Sequence, residues 1–254
     1  MLNKLLYAFW FICRPVYYLH FFSLIKRKFL FDHDTLENKE KACKWALENS
    51  ISYAEAFKKL GIVGEQKGLD DGTIAEARKL EMKSTVKMGG SAHIDLLYDC
   101  VKLLKPLNVI ETGVAFGWSS LSILKALSEN KNGKLISVDM PYPRKNNEEY
   151  VGIVVPQNLR NNWTLIRKPD NPGIKYSLSL IGCKIDLCHY DSDKSWWGRH
   201  YAYPILWKSL RSKGLFISDD IQDNLYFSEF VKNKLSNFVV VEFGGKFIGL
   251  IRKP

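Results

Sequence analysis

The stretch Val109 to Ser120, VIETGVAFGWSS, is a short apolar run that breaks at Gly113, loops through Gly117 and ends in paired serines. That order predicts a strand, a tight glycine turn and a helix start, the parts of a nucleotide-binding corner. The turn does not suit a phosphate cradle, because a P-loop needs Gly-Lys-Ser/Thr and here Trp118 follows Gly117. Nor does it hold a G-x-G-x-x-G dinucleotide fingerprint, since Val114, Ala115 and Phe116 all stand between the two glycines. An E-x-G-x-x-x-G turn with Glu111 at the strand end suits a ligand with an ammonium and a carboxylate: loop amides meet the carboxylate and the acid attracts the cation.

Downstream, LNVIET, KLISVD, WTLIR, KIDLCHY and GLFISD are short apolar runs separated by helical or loop segments such as SSLSILKAL. This alternation predicts an α/β fold with a parallel sheet covered on both faces. NFVVVEF, Gly244-Gly245 and KFIGLIR end the chain as two strands joined by a glycine turn, an antiparallel hairpin. The second strand ends in Asp139, where a carboxylate can accept hydrogen bonds from two ribose hydroxyls.

Upstream, the pattern from Asp34 to Leu104 is helical. Ser52-Tyr53-Ala54-Glu55 and Thr73-Ile74-Ala75-Glu76 both read as capping boxes, and Gly89-Gly90 leads into SAHIDLLYDCVKLL with apolar residues at helical spacing. The first 31 residues are crowded with Phe, Tyr, Leu and Ile and close on Lys26-Arg27-Lys28. Arg14-Pro15 interrupts them, which disfavours a straight spanning helix. The expectation is an interfacial membrane segment or an apolar arm packed on protein. The organisation is therefore an arm at 1–31, a helical extension at 32–88 and a nucleoside-binding domain at 89–254.

With 46% hydrophobic and 25% charged residues, the 254-residue chain can bury a full core. The net charge of +10 is spread along it without a zinc finger or RNP-like motif, so no nucleic-acid partner is expected. Five scattered cysteines, never as C-x-x-C, argue against a disulfide framework and point to a reducing, cytoplasmic setting.

VIETGVAFGWSSLSILKAL, KLISVDMPYP, IDLCHYDSDKSWW and KGLFISDDIQDN resemble the successive motifs of class I S-adenosylmethionine-dependent methyltransferases, in the branch of small-molecule O-methyltransferases and cephalosporin-hydroxylase-like proteins. The resemblance covers about Gly89 to Pro254 and implies a Rossmann-like, mostly parallel seven-stranded sheet with a C-terminal antiparallel hairpin, preceded by N-terminal helices. It implies that Glu111, Gly113 and Gly117 line the methionine end of S-adenosyl-L-methionine. Ser119 or Ser120 would cap the next helix, Asp139 would hold the ribose, and Asp170 would lie near the adenine.

HYDSDKSWW follows the fourth strand and ISDDIQDN the fifth, so Asp191, Asp219 and Asp220 open on one sheet edge and repel unless a cation sits between them. A hard divalent ion, magnesium first, is the expected answer. The D-x-D-K segment is similar to that of metal-dependent catechol-type O-methyltransferases, which implies a metal-binding Asp191 and a proton-accepting Lys194. His189 and His200 are reserve bases, and Trp196 and Trp197 are either a flat acceptor wall or core. The leading expectation is methyl transfer to a hydroxyl of a small molecule or a glycan or lipid-linked sugar, with the arm at the inner membrane face. Its rivals are an NAD-dependent oxidoreductase and an inactive membrane-docked scaffold; self-association stays open.

Overall fold

The computed structural model describes residues 2–143, 146–232 and 237–254, with side chains from Tyr7 onward. Met1 of the expected arm lies outside these residues. The arm forms α1 (Leu2–Ile12) and α2 (Tyr18–Arg27), parted at Arg14-Pro15, where proline opens a single 3-10 turn. Among the described residues, no helix is long and apolar enough to cross a membrane.

Three helices follow: α3 (Leu36–Asn49), α4 (Tyr53–Lys59) and α5 (Asp71–Glu81). At α4 the capping box forms, with the Ser52 hydroxyl accepting from the Glu55 amide and the Glu55 carboxylate accepting from the Ser52 amide. The second expected box does not cap its helix. α5 starts earlier, at Asp70, whose carboxylate accepts from the Thr73 amide at 2.8 Å and from the Thr73 hydroxyl at 2.7 Å. Aspartate is among the strongest N-caps, so Thr73 lies in the first turn. Residues 84–93, including Gly89-Gly90, form an irregular strap before α6 (Ile94–Leu104).

The expected alternation then runs β1 (Asn108–Thr112), α7 (Trp118–Glu129), β2 (Lys134–Val138), β3 (Trp163–Ile166), α8 (Asp170–Ile181), β4 (Ile185–Tyr190), α9 (Trp196–Ser209), β5 (Leu210–Ser218) and α10 (Tyr226–Lys232). It ends in β6 (Asn237–Phe243) and β7 (Lys246–Arg252). The seven strands are ordered β3-β2-β1-β4-β5-β7-β6, with β1 to β5 parallel and β7 antiparallel to both neighbours. Gly244 and Gly245 close the hairpin with φ of +58° and +78°, the left-handed pair a two-residue turn requires.

Alternate strand residues feed two cores. Val109, Leu187 and Leu215 pack with α4 to α7, where Ala56, Phe57 and Leu60 of the helical extension join them. Ile110, Cys188 and Phe216 pack on the other face with Ala46 of α3 and with α8, α9 and α10. The strand order reverses between β1 and β4, so the crevice opens over their carboxyl ends.

Candidate active site

Gly113 and Gly117 have the backbone the loop demands, with φ of +81° and +94°. A Cβ on Gly113 would lie 2.1 Å from the Asp191 carbonyl oxygen, and one on Gly117 would lie 2.8 Å from the Gly152 Cα. The glycines thus let two neighbouring segments close on the loop. Gly117 itself is the N-cap of α7 and no side chain caps the helix, which corrects the expectation for the two serines. Ser119 is buried and lines the cleft, while the Ser120 hydroxyl donates to Glu111 Oε2 at 2.5 Å.

Glu111 sits beneath the loop, fully buried. Strand register aligns it with Ser137 of β2 and His189 of β4. Ser137 donates to its Oε2 at 2.6 Å and itself accepts from the Trp163 indole at 2.8 Å. Glu111 Oε1 lies 3.7 Å from His189 Nδ1, and His189 Nε2 lies 3.7 Å from Asp219 Oδ2. Burial works against the imidazolium, but the negative charges of Asp219 and Glu111, one on each side, outweigh it and raise the His189 pKa to about 10. His189 is therefore a buried cation clamped between two acids; it is not a free base, which corrects its expected catalytic role.

Asp139 reaches the loop at the end of β2, where its Oδ1 accepts from the Val114 amide at 3.0 Å. Its Oδ2 pairs with Arg167, which also grips Glu148 at 2.8 and 3.0 Å. Burial pushes the Asp139 pKa up against the pull of Arg167. Asp170 stands at the start of α8 and accepts from the Ser192 hydroxyl at 2.6 Å and the Tyr190 hydroxyl at 3.3 Å. It packs against the β4 end and lines neither lobe of the cleft described below.

Asp191, Asp219 and Asp220 do converge, and the chain supplies the cations between them. Lys194 Nζ lies 3.0 Å from Asp191 Oδ1 and in direct contact with Asp220 Oδ2, and Lys246 Nζ lies 3.2 Å from Asp220 Oδ1. Among the described residues, no three His, Cys, Asp or Glu side chains are arranged to hold a metal ion. As built, the donor set does not fit a divalent ion, because Lys194 stands where the ion was expected. Burial opposes the Lys194 charge, but Asp191 and Asp220 outweigh it and raise its pKa, so it is a poor proton acceptor.

Asp191 behaves differently. Burial first, and then the charge of Asp219, raise its pKa to about 6 against the pull of Lys194 and His189. Two residues that the sequence did not single out complete the cluster's frame. Arg199 of α9, fully buried, donates to the carbonyls of Asp219 and Asp220 at 3.1 and 2.7 Å, fixing a turn in which Asp220 takes a left-handed φ of +49°. His93 caps α6 through Nδ1 and stacks on Phe243 at 4.3 Å, and burial lowers its pKa toward the neutral form.

The cleft has two lobes. One, about 500 Å³, lies over the glycine loop and is bounded by Gly113, Phe116, Trp118, Ser119, Tyr142 and Ser192. The other, about 440 Å³, lies between the aspartates and the hairpin, against His93, Phe243, Lys246 and Ile248. Asp191 and Lys194 belong to both, as do Gly89, Gly90 and Ala92 of the strap. Trp196, Trp197 and His200 line neither. Trp196 stacks between His33 at 3.9 Å and His200 at 4.7 Å, outside the cleft.

Three solved structures share this architecture. An O-methyltransferase from Bacillus cereus in complex with SAH (S-adenosylhomocysteine) aligns at TM-score 0.54 and 16% identity, over 82% of this chain and 100% of that one. The SAH-bound methyltransferase PaMTH1 of Podospora anserina aligns at TM-score 0.56 and 12% identity, over 87% and 97%. The O-methyltransferase TomG of Streptomyces achromogenes, involved in tomaymycin synthesis and in complex with SAM, aligns at 0.55 and 10% identity, over 82% and 99%. At these identities the likeness is one of fold, and no curated protein matches the chain in sequence. Residues 110–221, from β1 through the Asp219-Asp220 turn, match the family model described as a methyltransferase domain, which favours methyl transfer over the NAD-dependent reading. Over residues 110–221 the chain thus matches a methyltransferase domain, and its seven-stranded sheet has the fold of the methyltransferase structures named above.

Proposed function

We propose that the protein transfers the methyl group of S-adenosylmethionine to a hydroxyl of a polyhydroxylated acceptor, with Asp191 as the proton acceptor. The observation that carries this is the place of Asp191 on the wall common to both lobes, where an acceptor oxygen in one would face a methyl donor in the other. S-adenosylmethionine supplies an electrophilic methyl on a sulfonium; SAH or SAM in all three structural neighbours named above supports its use here.

The chain's own residues do the rest. Gly113, Val114, Ala115, Phe116 and Ser119 bound the donor lobe, and Tyr142 closes its side. Lys194 holds the Asp191 and Asp220 carboxylates in place and keeps its proton, while Asp191, deprotonated above about pH 6, takes the hydroxyl proton as the oxygen attacks. Holding acceptor and donor in line supplies much of the rate advantage. The acceptor lobe carries three carboxylates and two ammonium groups, with Ala92, Phe243 and Ile248 as its apolar contacts, which suits a sugar better than a flat phenol.

Calorimetric titration with S-adenosylhomocysteine, followed by radiolabelled methyl transfer to a panel of sugars and phenols with and without EDTA, tests the reading. Binding, with EDTA-resistant transfer to sugar hydroxyls, is expected. Absence of binding overturns the proposal; transfer that EDTA abolishes and magnesium restores shows that an ion displaces Lys194.

A further inference from the structure

Residues 1–31 contain five Lys or Arg and no Asp or Glu. Within this arm α1 and α2 fold back on one another: Phe11 is fully buried and stacks on Phe21 at 5.1 Å, and Trp10 stacks on Tyr17 at 5.2 Å. That packing consumes the inner aromatics and leaves the outer ones bare. Of the nineteen large apolar side chains exposed among the described residues, ten fall between Tyr7 and Phe31. So dense a patch marks a contact surface.

Charge is arranged on the same surface. On α2, Leu19 (87% exposed), Phe22 (62% exposed) and Lys26 follow one another at helical spacing and share one face. Arg27 turns the other way and fastens the arm to the protein, with its guanidinium 2.5 Å from Asp193 and 3.3 Å from the Ser195 hydroxyl. Tyr17 donates to the Arg167 carbonyl at 3.4 Å, so the arm also touches the residue paired with Asp139. Arg27 thereby ties the arm to a residue two places along the chain from Asp191.

We propose that the outward face of residues 7–31 docks on an anionic lipid surface, with both helices in the interfacial plane. An 11-residue helix rises only about 16 Å, short of the ~30 Å hydrocarbon core, so lying on the surface is the geometry it allows. A second copy of this chain would set cations against cations, whereas anionic headgroups neutralise Lys26 and Lys28 while Leu19, Phe22 and Phe29 enter the acyl boundary. The surface stands independently of the reaction proposed above.

Flotation of the full chain with phosphatidylcholine vesicles, with and without phosphatidylglycerol, tests it, with thermal melting as the check on folding. Binding to the anionic vesicles, weakened by salt, is expected. The double variants Leu19→Glu/Phe22→Glu and Lys26→Glu/Lys28→Glu should each weaken it by about tenfold or more at unchanged melting temperature. Failure of the wild-type chain to float, or binding that neither variant weakens, overturns the proposal. So does a concentration-dependent dimer, seen by sedimentation without vesicle binding and dissolved by Leu19→Glu/Phe22→Glu.

Discussion

At Asp191, burial and the Asp219 charge bring the carboxyl from the ordinary 3.8 up to about 6, so its basic form fills as pH rises through that value. The kcat/KM of methyl transfer should therefore climb with an apparent pKa near 6 and then level, measured over a pH series at saturating donor. Asp191→Asn should lower kcat by about 10²- to 10⁴-fold while S-adenosylhomocysteine binding, read by calorimetry, persists. Gly113 carries a different burden, because the Asp191 carbonyl oxygen lies 2.1 Å from where a Cβ would stand and its φ is +81°. Gly113→Ala should cost about 2 kcal/mol or more in urea unfolding, since both steric and backbone strain must be relieved.

Among the elements, α5 separates two ways of starting a helix. Its Asp70 carboxylate takes both the Thr73 amide and the Thr73 hydroxyl, whereas Glu76 lies in the helix interior, paired with Lys79 at 2.6 Å on the exposed face. Asp70→Ala should cost about 1 kcal/mol of stability, and Glu76→Gln less than about 0.5 kcal/mol. Equilibrium denaturation of the two variants side by side checks this. The sequence pattern put the cap at Thr73 and the structure moves it to Asp70, because the backbone path decides which of two capping side chains meets the free amides.

Across the whole molecule, the buried row Trp163, Ser137, Glu111, His189 and Asp219 links four strands to the active-site turn. The His189 pKa is raised from 6.5 to about 10, so its contribution to stability is full below about pH 6.5 and is lost as pH rises through 10. The stability gap between the wild-type chain and His189→Gln should shrink between pH 6 and pH 10, followed by the midpoint of urea unfolding at each pH. No single element of the chain reveals this row. Register places Ser137, Glu111 and His189 side by side although they are far apart in sequence.

The sequence by itself determined the parts that depend on local chemistry. Short apolar runs and helical apolar spacing set the strands and helices, glycine supplies the positive φ at both ends of the Gly113–Gly117 turn and in the Gly244-Gly245 hairpin, and the aspartates at two strand ends had to meet on one edge. Only the tertiary structure decided what stands between those aspartates and which groups hold protons. Lys246 reaches Asp220 from the hairpin, Lys194 answers it from the β4 loop, and Arg199 fixes the turn from α9, so the sequence pointed to a metal where the fold placed ammonium groups. The physical reason is that a backbone pattern is written in neighbouring residues, whereas a pKa and an ion pair are set by charges brought together from distant ones.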